Sequence, residues 1–405
     1  MGDQMILRAR GARIGLDVLG GEIAYISHAH SDHSEAVGGP LRIFCTDPTA
    51  DLLGITYADG RDGNGLDRAG MGGPKDGNKE NGTADGPGSE GEKNGMADRR
   101  GAGASGAPDP FELVPPARDA GPKAARRPKM KKDLRQRTDV PENIRLHNAG
   151  HMLGSTQIEA QSETEGNVVY TGDFKLRDGL SVKGASAIGC QTLIIECTYG
   201  DPRVSFPDPC EVLSDMERWS RQHADSIQIW GGYSTGKAQE VVKFLNGYMD
   251  TVPVVSRRIA QVCEAYGRHG VKLEWLESSS PEAQEAMRDP FCAVLPPHLI
   301  RHNLAGKLAR VHARKALTAF PTGWALVRDV GADAAFPLSD HADFGEILGY
   351  AQESGAKRIY TAHGDNENTA KALRAAGLDA WPIEKRTGQQ TLIEALAGRG
   401  APSGF

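Results

Sequence analysis

The sequence offers no thiolate framework. Its 405 residues include only six Cys, at positions 45, 190, 197, 210, 263 and 292, and no two form a Cys-x-x-Cys pair. A disulfide scaffold or a thiolate zinc site is therefore not expected, and a reducing cytoplasm is. No apolar run is long enough to span a bilayer, and no signal peptide is expected. Met1-Gly2 opens like a myristoylation site, but Ile6 stands where Ser or Thr is required. Positive charge is in deficit: 47 Lys and Arg face 53 Asp and Glu, for a net charge of −6. Any binding to nucleic acid must then use a local basic surface. No repeat of fixed period is found, which argues against solenoids and propellers.

What the chain has in excess is glycine, 50 residues, concentrated in one stretch. Residues 58–118 mix Gly, Asp, Asn, Ala and Lys with almost no apolar content. Such a segment cannot bury enough surface to offset its ordering entropy, so disorder is expected there. It runs into a basic arm at 123–137, with eight Lys and Arg interrupted by Asp133. Either side of this insertion the pattern is regular. Residues 12–18 and 22–27 read as short strands, and 49–55 as the start of a helix. Strands are expected at 157–160, 168–171, 192–196 and 226–230, with a periodic helix at 236–245. A last strand and helix are expected at 358–361 and 368–376. Alternation of this kind indicates an α/β fold with layered sheets.

The most informative residues are Ser27-His28-Ala29-His30-Ser31-Asp32-His33, directly after an expected strand. In extended chain, side chains two apart point the same way, so His28 and His30 can grip one ion together. The chain then turns and presents Asp32 and His33 to a second site. Three imidazoles and a carboxylate within six residues suit zinc or a neighbouring first-row metal better than calcium or magnesium. Further donors follow. His151 lies in the Gly-flanked loop Ala149-Gly150-His151-Met152-Leu153-Gly154-Ser155, Asp173 ends Tyr170-Thr171-Gly172-Asp173, and His363 follows the strand at 358–361. Each is weak alone, since such residues are common turn content.

In this order, the set resembles the metallo-β-lactamase superfamily. The resemblance implies an αββα sandwich with two ions at the edge between its sheets, zinc with manganese as the alternative. Carried over, His28, His30 and His151 hold one ion, Asp32, His33 and His363 the other, and Asp173 bridges them. Asp17, in Ile14-Gly15-Leu16-Asp17, resembles the aspartate that accepts the far N–H of a ligand imidazole and so orients it.

From Asp173 to His363 is 190 residues, far more than in the small hydrolases of this superfamily. The interval resembles the β-CASP branch, nucleic-acid nucleases with an α/β cap inserted before the final ligands. Ile195-Glu196-Cys197-Thr198-Tyr199-Gly200, Pro337-Leu338-Ser339-Asp340-His341-Ala342-Asp343-Phe344 and Ala362-His363-Gly364-Asp365 resemble its motifs, and so does Tyr233-Ser234-Thr235-Gly236-Lys237-Ala238-Gln239-Glu240. The resemblance covers nearly all the chain outside 58–138. It implies a sandwich built from 1–57, 139–205 and 326–405, a cap at 206–325, and the insertion at 58–138. Gly231 to Lys237 also spell the G-x-x-x-x-G-K of a P-loop, but Ala238 replaces the magnesium-binding hydroxyl. Ser234, Lys237 and the amides of the helix start are instead expected to cradle substrate phosphate.

The catalytic group implied is Asp32, His341 and Glu196, with Glu196 fixing the tautomer of His341 for proton transfer to the leaving oxygen. His363 at the third motif favours RNA processing. The short N-terminus favours the bacterial ligase-associated exonucleases, and no RNA-binding KH domain or RNase J C-terminal domain is expected. The expected partner is single-stranded nucleic acid, RNA ahead of DNA, with no membrane and with a homodimer as an option. A non-catalytic scaffold is the rival of another class, but every ligand position is filled. The cap argues against a lactonase or thioesterase. His298 and His302, four apart, suggest a helix face, and His147, His223, His269 and His312 are isolated. Trp219, Trp230, Trp275 and Trp324 read as packing residues, with Trp324 also placed to stack a base.

Overall fold

The computed structural model describes residues 5–9, 12–18, 21–38, 42–55, 138–162, 164–300 and 303–383. The Gly-rich stretch, the basic arm and His302 lie outside them.

A first sheet of four strands is built by β1 (Ile6–Ala9), β2 (Ala12–Leu16), β3 (Ile23–Tyr25) and β4 (Arg42–Phe44), in that order. Helix α1 (Asp47–Leu53) follows. It begins two residues earlier than expected, because Thr46 caps it, and Gly54 closes it in the left-handed region at φ 65°. The strand β1 was not foreseen, and Asp17 lies past the end of β2 rather than in it.

The second sheet starts with β5 (Ile144–Asn148), β6 (Thr156–Ser162), β7 (Gly166–Tyr170) and β8 (Thr192–Cys197). A third unit intervenes: α2 (Pro209–Gln222), β9 (Ile227–Gly231), α3 (Lys237–Met249), β10 (Val254–Val255), α4 (Arg257–Arg268), β11 (Leu276–Glu277), α5 (Pro281–Ala286), β12 (Cys292–Leu295), α6 (Pro297–Ile300), α7 (Leu304–Val311), β13 (Ala316–Pro321) and β14 (Ala334–Phe336). The chain then returns through α8 (Phe344–Glu353), β15 (Arg358–Gly364), α9 (Asn366–Ala375) and β16 (Ala380–Pro382) to complete the second sheet, ordered β16-β15-β8-β7-β6-β5.

Period-two burial explains the layers. Leu7, Ile14, Leu16, Tyr25 and Phe44 of the first sheet pack on Ile158, Val168, Tyr170 and Ile194 of the second. The alternate residues Val169, Leu193 and Ile195 face α8 and α9 through Ile347, Tyr350 and Leu373. Ala50 on α1 packs on Ile26 and Ile43, on the far side of the first sheet. Strand β8 is buried along its whole length, as a strand covered on both faces must be. The third sheet, β11-β10-β12-β9-β13-β14, is parallel throughout. In β12, Cys292 and Val294 face α3 and α4, while Ala293 and Leu295 face α5 and α7. Its last strand, β14, lies beyond residue 325, where the cap was expected to end.

Candidate metal centre

Loops at the strand ends bring together residues far apart in sequence. After β3, Ser27 turns the chain: its amide and hydroxyl both donate to Asp17, at 2.6 Å each. The hydroxyl proton is thereby committed, so Ser27 Oγ accepts from His28 Nδ1–H at 2.9 Å. His28 Nε2 is left bare, facing Asp173 Oδ2 at 3.5 Å. His151 Nδ1–H donates to the Asp340 carbonyl at 3.0 Å, and its Nε2 lies 3.2 Å from His30 Nδ1. His30 Nε2–H donates to the Thr235 carbonyl at 3.0 Å, so His30 Nδ1 is bare too. Carbonyls and a committed hydroxyl can only accept here, which dictates these tautomers. Three lone pairs and a carboxylate oxygen therefore converge, all within 4.8 Å of one another. Asp173 Oδ1 is buried without a hydrogen-bond partner. Burial and the neighbouring imidazoles push His28 and His151 well below the ordinary histidine range, keeping them neutral. Such a donor set fits a divalent cation and no hydrogen-bonded core.

A second group lies across Asp173. His33 Nδ1–H donates to Asp17 at 2.9 Å, and its Nε2 stands 3.4 Å from Asp173 and 3.9 Å from Asp32. Burial alone would lower the His33 pKa, but Asp173 and Asp17 outweigh it and raise it to about 10. A bulge between Ala362 and Gly364 puts His363 at φ 51° and turns its ring to 4.6 Å from that of His33. His363 Nε2–H donates to Tyr170 Oη at 2.9 Å, and the tyrosine passes its own proton to Asp17 at 2.8 Å. Asp17 thus accepts from Ser27 twice, His33 and Tyr170. The Asp32 side chain is 78% exposed, so it stands at the rim of this group.

Beside both groups, His341 Nδ1–H donates to Glu196 at 2.9 Å, and its ring lies 4.5 Å from that of His151. Glu196 is buried and also accepts from the amides of Phe174 and Thr198. Burial opposes charge on His341, yet Glu196 outweighs it and raises the imidazole pKa to about 9. Donor atoms of Asp173, Glu196 and His341 also lie within 4.8 Å of one another. Asp173 and His341, with His30, His33, His151 and His363, line a cleft of about 730 Å³.

The expected phosphate cradle requires correction. Lys237 is buried, and its Nζ donates to Asp340 at 2.7 Å and to the Leu338 carbonyl at 2.8 Å. At the start of α3, Gly236 N donates to Gln239 Oε1 and Ala238 N to the Tyr233 carbonyl, so these amides are already used. Ser234 is held through its carbonyl by Gln239, whereas Tyr233 and Thr235 face the cleft. The first glycine of the P-loop-like string has a packing cause: a Cβ on Gly231 would lie 2.6 Å from the Phe320 ring. The isolated histidines have ordinary partners: His147 meets Glu159, His223 the Trp219 carbonyl, His269 Asp51, and His312 the Phe291 ring. His298 is exposed on α6. Three residues that hold the site were missed: Ser27, Tyr170 and Asp340. Tyr170 sits on β7 facing the sandwich interior, and a buried tyrosine hydroxyl needs a partner, which was the available signal.

No family model matches the chain. Among curated relatives, a probable DNA ligase of Opitutus terrae is 31% identical over 252 residues, covering 59% of this chain and 23% of the ligase. An uncharacterized protein in the lig 3′ region of Acidianus ambivalens is 33% identical over 134 residues, covering 32% of this chain and 91% of that protein. An RNase J-like protein of Methanocaldococcus jannaschii is 26% identical over 287 residues, covering 66% of this chain and 54% of the relative. Of the first of these relatives the chain spans less than a quarter. A solved structure of a protein of unknown function from Enterococcus faecalis aligns with a TM-score of 0.50 at 13% identity, over 91% of this chain and 80% of that one. The chain belongs to the β-CASP branch of the metallo-β-lactamase superfamily. Among the described residues, no helix is long and apolar enough to cross a membrane.

Proposed function

We propose that this chain is a metal-dependent phosphodiesterase that cleaves single-stranded nucleic acid, RNA ahead of DNA. In this reading the first two sheets and their helices are the αββα sandwich, and the parallel sheet is the β-CASP cap closing over one end of it. The observation that carries it is the convergence of bare nitrogens from His28, His30 and His151 on Asp173, whose other oxygen has no partner. His28, His30 and His151 would hold one zinc-class ion, His33, His363 and Asp32 a second, with Asp173 shared; manganese is the alternative. Ions held there supply a nucleophile from water near neutral pH and offset charge on the phosphate.

The chain's own groups do the rest. Asp17 and Ser27 hold the imidazoles in the tautomers that leave their inner nitrogens bare. Glu196 accepts a hydrogen bond from His341 Nδ1–H and so fixes the tautomer, which leaves Nε2 to carry a proton to the departing oxygen. Asp32, mostly exposed at the rim, stands with an oxygen 3.9 Å from His33 Nε2. RNA is favoured by His363 at the third motif and by the RNase J-like relative. The ligase relative and the lig-region relative favour the second reading, a DNA exonuclease. End-labelled single-stranded RNA and DNA, each with 5′-phosphate or 5′-hydroxyl ends, are incubated with zinc- or manganese-loaded protein. Faster cleavage of RNA supports the first reading and faster cleavage of DNA the second. No cleavage of either by protein shown to hold two ions rejects both.

A further inference from the structure

From the base of the cleft a chain of rings leads outward. The rings of His341 and Tyr199 meet edge-on, with centroids 6.0 Å apart, and Tyr199 lies 4.9 Å from Trp324. Trp324 lines both the cleft and a second cavity of about 130 Å³, and Tyr233 and Thr322 are shared by the two. The second cavity is walled by Tyr233, Phe320, Pro297 and Trp324, with the Arg328 guanidinium 5.1 Å over the Trp324 ring. Cavities of roughly 150 Å³ take up a single aromatic ring.

Two glycines build these walls. A Cβ on Gly323 would lie 2.7 Å from the Tyr199 ring, and one on Gly231 would strike Phe320, so both rings press against bare backbone. The rim sets exposed apolar side chains beside Arg328 and Asp329. Of the seven large hydrophobics exposed among the described residues, Leu326 and Val327 belong to the Trp324 segment, and Tyr233 is 61% exposed opposite it. Aromatic faces with a guanidinium, opening into a phosphate-chemistry cleft, are the elements of single-strand binding by stacking.

Resting on the proposed phosphodiesterase reading, we infer that this cavity takes one unpaired nucleobase of the strand whose phosphate lies at the histidine cluster. A ring sandwiched by stacking is accepted whatever its identity, because every base has a π-face. A base locked in a duplex reaches the cavity only after leaving its stack. The pocket therefore selects single strands over duplexes, with little sequence preference.

The test is fluorescence anisotropy with the full chain and a chelator, so that nothing is cut. The probes are a fluorescein-labelled oligoadenylate, a strand of equal length made of abasic residues, and an RNA duplex. Wild type should bind oligoadenylate about tenfold tighter than the abasic strand, within the roughly 5- to 150-fold that one stacked base contributes. Trp324→Ala should erase this difference by weakening oligoadenylate binding and leaving the abasic strand unchanged. Trp324→Phe should restore most of it. Tyr233→Ala, on a mostly exposed side chain, should halve the difference or more and serves if Trp324→Ala fails to fold. An unchanged ratio of oligoadenylate to abasic affinity in folded Trp324→Ala and Tyr233→Ala overturns the base pocket alone. Wild type that binds oligoadenylate no tighter than the abasic strand also overturns the pocket, whereas the phosphodiesterase reading falls only with the cleavage test on protein shown to hold two ions.

Discussion

The donors on the two sides of Asp173 are held in different ways. His28, His30 and His151 each give their outer N–H to a separate acceptor: Ser27 Oγ, the Thr235 carbonyl and the Asp340 carbonyl. Those acceptors come from three parts of the chain, one in the sandwich loop after β3, one before α3 and one before α8. On the other side His33 and His363 both lean on Asp17, the first directly and the second through Tyr170. Asp32 is exposed. Asp17 reaches the first half only through Ser27 and His28, leaving His30 and His151 on separate supports, whereas both imidazoles of the second half depend on it. A cation site whose ligands are fixed independently loses little when one support is removed, whereas a hub couples every ligand that depends on it.

The largest effect separates neither half. Asp173 faces both groups, so Asp173→Ala should abolish cleavage and reduce the metal found by elemental analysis from two equivalents toward none. One retained equivalent would show that the halves are independent of Asp173. His341→Ala should lower the rate about 10²–10⁴-fold while both equivalents remain, because its role is proton transfer. Full-speed cleavage by that variant would make the Glu196–His341 pair structural only. Asp17→Asn tests the hub. Asn tolerates the positive φ of 57° at this position, so the backbone is kept. Losing the carboxylate behind His33 should weaken the ion at His33 and His363 about 10–100-fold, and should weaken less the ion at His28, which Asp17 supports only through Ser27. Equal weakening of both ions would contradict the asymmetry.

How far the site was legible follows from the same contrast. The His and Asp donors stood out because their chemistry is dense: His28, His30, Asp32 and His33 lie within six residues, and glycines flank His151 and His363. The alternation of strands and helices carried the α/β architecture, since covered strands must be apolar on both faces. The supports did not stand out. Asp340 reaches Lys237 across 103 residues and turns an apparent phosphate-binding lysine into an internal ion pair. Gly231 reads as a phosphate-loop glycine until Phe320 is seen against it. The short strand β1 is only four residues, too few to show a period. Tyr170 looks like any core residue of β7, because nothing local reveals that Asp17 and His363 converge on its hydroxyl.

Tyr170→Phe is the finest probe of the comparison. The ring fills the same space between the sheets, so the core should keep its packing, and only one oxygen is lost. That oxygen accepts from His363 Nε2–H and donates to Asp17. Without it, His363 has either a buried N–H lacking a partner or its proton on Nδ1, the nitrogen it would offer a cation. An unsatisfied buried donor costs about 1–3 kcal/mol, and the tautomer change avoids that cost only by blocking the ligand. Asp17 keeps its contacts with Ser27 and His33, so the hub survives. The second ion should therefore weaken by about tenfold, near the lower end of the range for outer partners. The first ion, held by His28, His30 and His151, should not change. Stepwise competition with a chromophoric chelator resolves the two affinities. A Tyr170→Phe protein that binds both ions as wild type does would mean that His363 is oriented by its backbone bulge alone, and the coupling through the hydroxyl would have to be given up.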